Sequence, residues 1–305
     1  MLEDRVVFRN GEFIAWNEAN VHIMSHSFGR GTAIFEVIGF HKTRDGRAVF
    51  RLDKYIQRFF RSARMLEMEL PLSEEALQQA VLVTVERNPL EQGIIKIFGY
   101  YSQTSFKILP PRQRLDVSIL VFDPVEDMGI PAFVFEEGTT VCISRWRKLD
   151  PQTVPVEAKV AANYVNGMMA RMEARNRGFD YALMLDSQGF IAEGSTESVF
   201  LVTDDVLMTP TLGRVLRSIT RETIIETSKA IGAKIFEGNI SSDRLHQADE
   251  IFLSSTGGKV QPVRKVEKRV LKGTPGPWTR KVADLLNQIV AGREERFKDW
   301  LFPVG

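Results

Sequence analysis

The stretch Asp123-Pro124-Val125-Glu126-Asp127-Met128-Gly129-Ile130-Pro131 constrains the fold of this chain more than any other. Two prolines, a glycine and three acids in so short a span do not sustain a strand or a helix. The spacing predicts a smaller domain over 1–123, a linker over 124–131 and a larger domain over 132–305. A chain of 305 residues gives each part enough length to bury a core of its own.

The pattern on either side of the linker is mixed. Val6–Phe8 and Glu12–Ile14 flank Asn10-Gly11, a strong hairpin signal. A second strand pair, 33–41 and 48–51, turns at Arg44-Asp45-Gly46. Helical spacing follows from about Asp53 to Leu66, through Ile56, Phe59, Phe60 and Ala63. A further helix runs from an N-cap at Ser73 to about Asn88. Strands at 94–101 and 116–122 complete an α+β first domain. Beyond the linker, strands are expected at 139–144, 181–186, 190–193, 198–202 and 251–254. Helices are expected at about 159–177, stopped by Gly178, at 221–231, stopped by Gly232, and at 278–291. The fold class is α/β.

Charge excludes some partners. Lys plus Arg number 40 against 39 Asp plus Glu, so net charge offers no reason to seek nucleic acid or an anionic membrane. Cys142 is the single cysteine, which rules out an intrachain disulfide and favours a reducing compartment. The first five residues lack the basic-then-apolar pattern of a signal peptide, and no apolar run reaches the length of a membrane span. The expected location is the cytoplasm. Several motifs fail on inspection. Gly29-Arg30-Gly31 has Ile34 where the third glycine of a dinucleotide fingerprint belongs. Gly258-Lys259 is followed by Val260 rather than a hydroxyl residue. The four histidines do not cluster, so no metal site is expected.

What remains points to a bound phosphate and a reactive amine. Ser218-Ile219-Thr220-Arg221 opens a helix, and a helix start offers free N–H groups to an anion; an ordinary N-cap by Ser218 or Thr220 gives the same pattern. Ser254-Ser255-Thr256-Gly257-Gly258 follows a strand, where two glycines permit a nest of N–H donors or a plain turn. Arg58 is a further candidate for an anion. Lys159 stands among the small apolar residues of Val156-Glu157-Ala158-Lys159-Val160-Ala161-Ala162. Burial there would lower its pKa and make it a nucleophile towards an aldehyde, although isolated lysines more often face solvent.

Trp146-Arg147 and Lys159-x-x-x-Asn163-Tyr164 resemble the cofactor-lysine region of the class IV pyridoxal-phosphate aminotransferases, the branched-chain aminotransferase family. The likeness continues through Glu193-Gly194-Ser195-Thr196-Glu197-Ser198-Val199-Phe200, where Ser198 replaces the family's asparagine. It extends to Arg217–Arg221, Phe252–Val263 and Gly276-Pro277, and in the first part to Phe28–Glu36 and Leu52–Phe59. Tyr55 stands near where the family more often has histidine. The order is preserved over nearly the whole chain.

The resemblance implies a two-domain fold of the D-amino-acid and branched-chain aminotransferase type, with a small α+β domain and a larger pseudo-barrel domain. It implies pyridoxal 5′-phosphate held as a Schiff base on Lys159, which also shuttles the proton in a ping-pong transamination. Glu193 would pair with the pyridine nitrogen and Tyr164 with the phenolic oxygen. Arg58, Ile219 through its N–H, Thr220 and Thr256 would hold the phosphate. Phe35, Arg30, Lys96, Thr256 and Gly257 are the candidates for substrate binding. The implied substrates are a branched-chain or other hydrophobic L-amino acid and 2-oxoglutarate. Phe35-Glu36-Val37-Ile38 also looks like the D-amino-acid enzymes, and an aminodeoxychorismate lyase shares the lysine and cofactor; both readings stay open. A homodimer or higher oligomer is implied, with Ser102–Arg114 as the loop that would reach a partner's site or serve as a plain connection.

Overall fold

Asn10 and Gly11 both adopt left-handed backbone, with φ of 51° and 104°, the geometry of the two-residue turn that matches strand twist. They join strands β1 (Val6–Arg9) and β2 (Glu12–Ala15) in antiparallel register, Phe8 opposite Phe13. The computed structural model describes residues 2–305. Its contacts divide the chain into two units. One comprises the chain up to Ala132 together with Ala158–Ala162 and Gln288–Gly305, and the other Phe133–Glu157 with Asn163–Asn287.

In the first unit, β3 (Ile34–Thr43), β4 (Gly46–Phe50), β5 (Gly93–Tyr100) and β6 (Asp116–Phe122) join that hairpin and the C-terminal strand Leu301–Val304 in one antiparallel sheet. Its order is C-terminal strand, β4, β3, β5, β6, β1, β2. Ile34, Ile38, Ile95, Ile97, Ile119 and Val121 share one face by register. That face is dry because helices α2 (Leu52–Met65) and α3 (Glu74–Glu86) lay Leu52, Ile56, Phe59, Leu77, Val81 and Val85 against it. Ser73 caps α3, its Oγ accepting from Ala76 N at 3.2 Å. The opposite face carries Phe35, Val37, Lys96, Phe98, Ser118 and Leu120, alternating with the buried set. A short helix α1 (His26–Arg30), capped by Ser25, precedes β3.

In the second unit, the strands β7 (Thr139–Ile143), β8 (Tyr181–Leu185), β9 (Ile191–Gly194), β10 (Ser198–Thr203), β11 (Val206–Pro210), β12 (Lys234–Gly238), β13 (Glu250–Ser255), β14 (Lys259–Val266) and β15 (Arg269–Val270) form a mixed sheet. The order β12-β11-β10-β13-β14-β7-β8-β9 curls so that β9 returns beside β10. Val141, Leu183, Ile191, Val199, Leu201, Ile251, Leu253 and Val263 fill the inside of this half-barrel. Helix α4 (Tyr164–Asn176) covers the outside, with Ala170 and Ala174 against Cys142, Ala182 and Met184. It ends where Gly178 takes a φ of 76°. Helices α5 (Ile219–Ala230), α6 (Arg244–Gln247) and α7 (Pro277–Val290) complete the unit's ordered elements, α7 running on into Gln288–Val290 of the first unit.

Strands β11, β12, β14 and β15 add to those expected, and the structure departs from the sequence expectation in three further places. Helix α4 begins at Tyr164, not at Lys159. The preceding residues instead extend the first unit's sheet, because Val160 bridges Ile34 antiparallel and Lys159 O accepts from Phe35 N at 3.1 Å. The 124–131 segment packs with the first unit, where Arg5 binds the buried Asp127 carboxylate at 3.0 Å. Residues 288–305 likewise belong to the first unit, since Leu301–Val304 pairs with β4.

Candidate active site

The candidate residues fall into two groups, one in each unit. In the first, the antiparallel bridge sets Lys159 opposite Phe35 on the sheet face away from α2 and α3. Lys159 is 8% exposed, and its Nζ lies 4.7 Å from the centre of the Phe35 ring. Its backbone N–H is taken by Ser62 Oγ of α2 at 3.0 Å, so the segment is held from both sides. Phe98 stands opposite Phe35, and Lys96, on the same face, sits 4.7 Å from the Phe98 ring and 5.5 Å from the Phe35 ring. Among the described residues no carboxylate forms an ion pair with Lys96. Burial pushes its amine below the usual lysine range.

One residue along β3, Glu36 points to the dry face and is fully buried. Arg58 of α2 grips it with two parallel bonds, Nε to Oε1 at 2.8 Å and Nη2 to Oε2 at 2.6 Å. Arg58 also lies over the Tyr55 ring at 5.4 Å. Arg30 is exposed and donates to Phe106 O at 3.0 Å, which ties α1 to the 102–114 loop. Of the two cations proposed for a substrate carboxylate, Arg30 therefore has a backbone partner and Lys96 has only aromatic faces.

In the second unit the candidates lie at the ends of elements. Glu193 is the penultimate residue of β9 and is 8% exposed. One carboxylate oxygen pairs with Lys148 and the other accepts from Leu216 N at 3.3 Å. Asn166 of α4 fixes the backbone on both sides of Lys148, accepting from Leu149 N at 3.3 Å and donating to Arg147 O at 3.0 Å. Tyr164 is the first residue of α4. Ser218 caps α5 through Arg221 N at 3.2 Å, which leaves the amides of Ile219 and Thr220 outside the helix's own ladder. After β13, Ser255 Oγ closes a turn by accepting from Gly258 N at 3.1 Å. Nothing stands within 4 Å of the place a Cβ on Gly257 would occupy. Ser254 Oγ, buried at the base of that turn, has no partner among the described residues.

Sequence reasoning missed Glu36, Lys148 and Asn166. A glutamate in a strand pattern and a lysine after a tryptophan carry no signal of their own; only the pairing with Arg58 and Glu193 gives them a role.

The donor set suits a phosphorylated aldehyde with a pyridine ring. The first unit offers an amine shielded from water, and the second a buried carboxylate and a helix start with hydroxyls beside it. The family model for class IV amino-transferases matches residues 33–266, and the chain belongs to that family. It is 32% identical over 298 residues to the branched-chain-amino-acid aminotransferase of Pseudomonas aeruginosa, covering 97% of this chain and 96% of the other. Two solved structures superpose closely. The branched-chain aminotransferase of the archaeon Thermoproteus uzoniensis with norvaline is 33% identical, has a TM-score of 0.93 and is covered, like this chain, to 99%. A branched-chain amino acid aminotransferase from T.th., complexed with N-(5'-phosphopyridoxyl)-L-glutamate, is 31% identical, with a TM-score of 0.94 and full coverage of both chains.

Proposed function

We propose that this chain is a pyridoxal-phosphate-dependent transaminase that exchanges the amino group between a branched-chain L-amino acid and a 2-oxo acid such as 2-oxoglutarate. The observation that carries the reading is a buried lysine, Lys159, set opposite Phe35 on the sheet face away from α2 and α3, in a chain of this family. The phosphopyridoxyl-L-glutamate complex of one relative favours L-substrates over D-amino acids, and the aminotransferase relatives, one of them with norvaline, favour transamination over the lyase alternative.

The bound cofactor supplies an aldehyde for an amine to capture and a ring that accepts electrons when a substrate proton leaves. Lys159 would be that amine, and the same group would carry the proton between the substrate's α-carbon and the carbon of the cofactor's aldehyde. Glu193 would face the ring nitrogen, its carboxylate held in place by the ion pair with Lys148. Tyr164 donates to the phenolic oxygen. Ile219, Thr220, Thr256 and Arg58 hold the phosphate, with Glu36 fixing the plane of the Arg58 guanidinium. Lys96 receives a substrate carboxylate, Phe35 contacts the side chain, and Gly257 admits the substrate backbone.

Reduction with borohydride in the presence of pyridoxal phosphate, followed by peptide mapping, tests the assignment. The pyridoxyl group is expected on Lys159; finding it on Lys96 or Lys259, or nowhere, overturns the reading.

The functional unit in this reading is a homodimer. Ile23, Phe28, Phe106, Ile108 and Leu109 are each at least 70% exposed, on two segments joined by the Ser25–Thr104 bridge and by His26 Nε2 to Ile108 O at 3.0 Å. A second copy covering this surface accounts for so much open apolar area. Sedimentation is expected to give a dimer, and Phe106→Asp with Ile108→Asp a monomer.

A further inference from the structure

Beyond the residues assigned to the cofactor, one arginine in the second unit is linked to three of the four places where that unit would meet it, all but the start of α5. Arg171 lies on α4 and follows Tyr164 and Gly167 at helical spacing, so the three share a face. At Gly167 the helix comes unusually close to the loop after β9. A Cβ there would lie 2.2 Å from Ser195 O and 3.1 Å from its carbonyl carbon, so only glycine lets that backbone settle on the helix.

One turn further along, Arg171 Nη2 donates to Glu197 Oε1 at 2.7 Å, and Nε reaches Ser195 Oγ at 3.5 Å. Glu197 is 4% exposed. Its carboxylate also accepts from Thr196 N at 3.0 Å and from the Thr196 hydroxyl at 2.5 Å, and it folds back over Gly194, where a Cβ would lie 2.7 Å from Oε2. Gly194 N donates to Glu197 O at 2.6 Å, closing the loop directly after Glu193. Glu193 therefore stands directly before a turn that is fastened to α4 at Ser195 and Glu197.

The same guanidinium stacks 3.9 Å above the Tyr181 ring, and the Tyr181 hydroxyl accepts from Gln261 Nε2 at 2.9 Å. Gln261 lies beneath the turn at Gly258, where a Cβ would be 2.5 Å from that same Nε2. Contacts thus run from Arg171 to the loop of Glu193 on one side and to the Thr256–Gly258 turn on the other, with Tyr164 at the head of its own helix.

We infer that Gly167, Arg171 and Glu197 are positioning residues that set the Glu193 carboxylate, Tyr164 and the Thr256–Gly258 turn in one register for the cofactor ring. This rests on the proposed role of Glu193 and deepens it. The ring nitrogen gains its proton only if the carboxylate is held in line, and a misplacement of about 1 Å costs roughly a hundredfold in such arrangements. An arginine chosen merely to stabilise the fold would not need to touch the loop, the aromatic and the helix together.

The test uses full-length holoenzyme carrying pyridoxal phosphate labelled with 15N in the ring. Its variants are Glu197→Gln, Arg171→Met, Gly167→Ala and, as reference, Glu193→Gln. Glu193→Gln is expected to move the ring-nitrogen signal towards its unprotonated position. Glu197→Gln and Arg171→Met are expected to move it part of the way and to lower kcat about tenfold to a hundredfold, with KM for the amino donor within about twofold. The Glu197→Gln/Arg171→Met double variant should lose little more than either single one. Arg171→Lys keeps the charge but loses the fork and the flat stacking face, and should restore little. Melting of each apoprotein is followed in parallel, and Glu197→Gln, which keeps size and shape, serves as the folded variant if Arg171→Met does not fold. If Glu193→Gln leaves the signal in place, the assignment of Glu193 fails. If Glu193→Gln moves it while Glu197→Gln and Gly167→Ala do not, the positioning role is overturned.

Discussion

In the first unit most candidate residues sit inside regular elements, Phe35 and Lys96 within strands, Arg58 in mid-helix and Lys159 on a segment paired to a strand, while Arg30 ends α1. In the second they sit where elements stop, Glu193 at the end of β9, Tyr164 and Ile219 at helix starts, and Thr256 in the turn after β13. The two arrangements solve different problems. A residue inside a strand or helix is already aimed by the backbone ladder, and needs only a partner for its charge, as Glu36 provides for Arg58. A residue at an element end has N–H groups to offer but little to aim it. The second unit supplies the aim with side chains, through Asn166 around Lys148 and Arg171 around Glu197.

Substitutions separate the two kinds of support. Arg58→Ala is expected to cost most, about 3–5 kcal/mol of stability, because it strands the fully buried Glu36 carboxylate. Denaturant unfolding of the apoprotein measures this, and adding Glu36→Gln should recover much of the loss. Recovery of stability without recovery of cofactor binding would show that Arg58 serves the phosphate as well as the fold. Glu193→Gln, which leaves Lys148 without its carboxylate, should cost the apoprotein less stability than Arg58→Ala does, while raising the reaction barrier by about 2.7–4 kcal/mol, read from single-turnover rates. An equal fall in stability would mean that this end-of-strand residue is structural after all.

Lys96→Met should weaken use of 2-oxoglutarate by about 1.5–3 kcal/mol in kcat/KM, the worth of a hydrogen bond to a charged group. Burial lowers the Lys96 amine, so in the native enzyme this affinity should fall as pH rises through that lowered value, earlier than an ordinary lysine would allow. A profile identical in the variant would move carboxylate binding to the turn of the second unit. Thr220→Ala should have the smallest effect, about 1 kcal/mol of cofactor retention by equilibrium dialysis, since a neutral hydroxyl is one donor among several.

The sequence made the punctuation of the fold legible. Asn10-Gly11, Ser73 and Gly178 each impose a local geometry that little else can override, and the element ends they mark lie within a residue or two of expectation. The start of α4 was not legible, because Ala158, Ala161 and Ala162 suit a helix while pairing with β3 decides otherwise. Strand β12 pairs in parallel and is largely exposed, so it lacks the alternation that marks a strand. The C-terminal strand contains Pro303, tolerated only because it lies at the sheet's edge. For the site, residue type and spacing were enough for the cofactor contacts once the family resemblance was seen. The partners Glu36, Lys148 and Arg171 could not be found that way, since each is defined by a neighbour distant in sequence.

The pairing of Leu301–Val304 with β4 bears on how the protein is made. Gly46–Phe50 leaves the ribosome before the second unit is begun, whereas the strand that covers its outer edge is made only after that unit is complete. At about 5–20 residues per second, the interval amounts to some tens of seconds. Throughout it, that edge is a template for any passing strand, its own or a neighbour's. A nascent chain halted just before Leu301 would already hold every residue assigned to the chemistry and would still leave its first sheet open to aggregation.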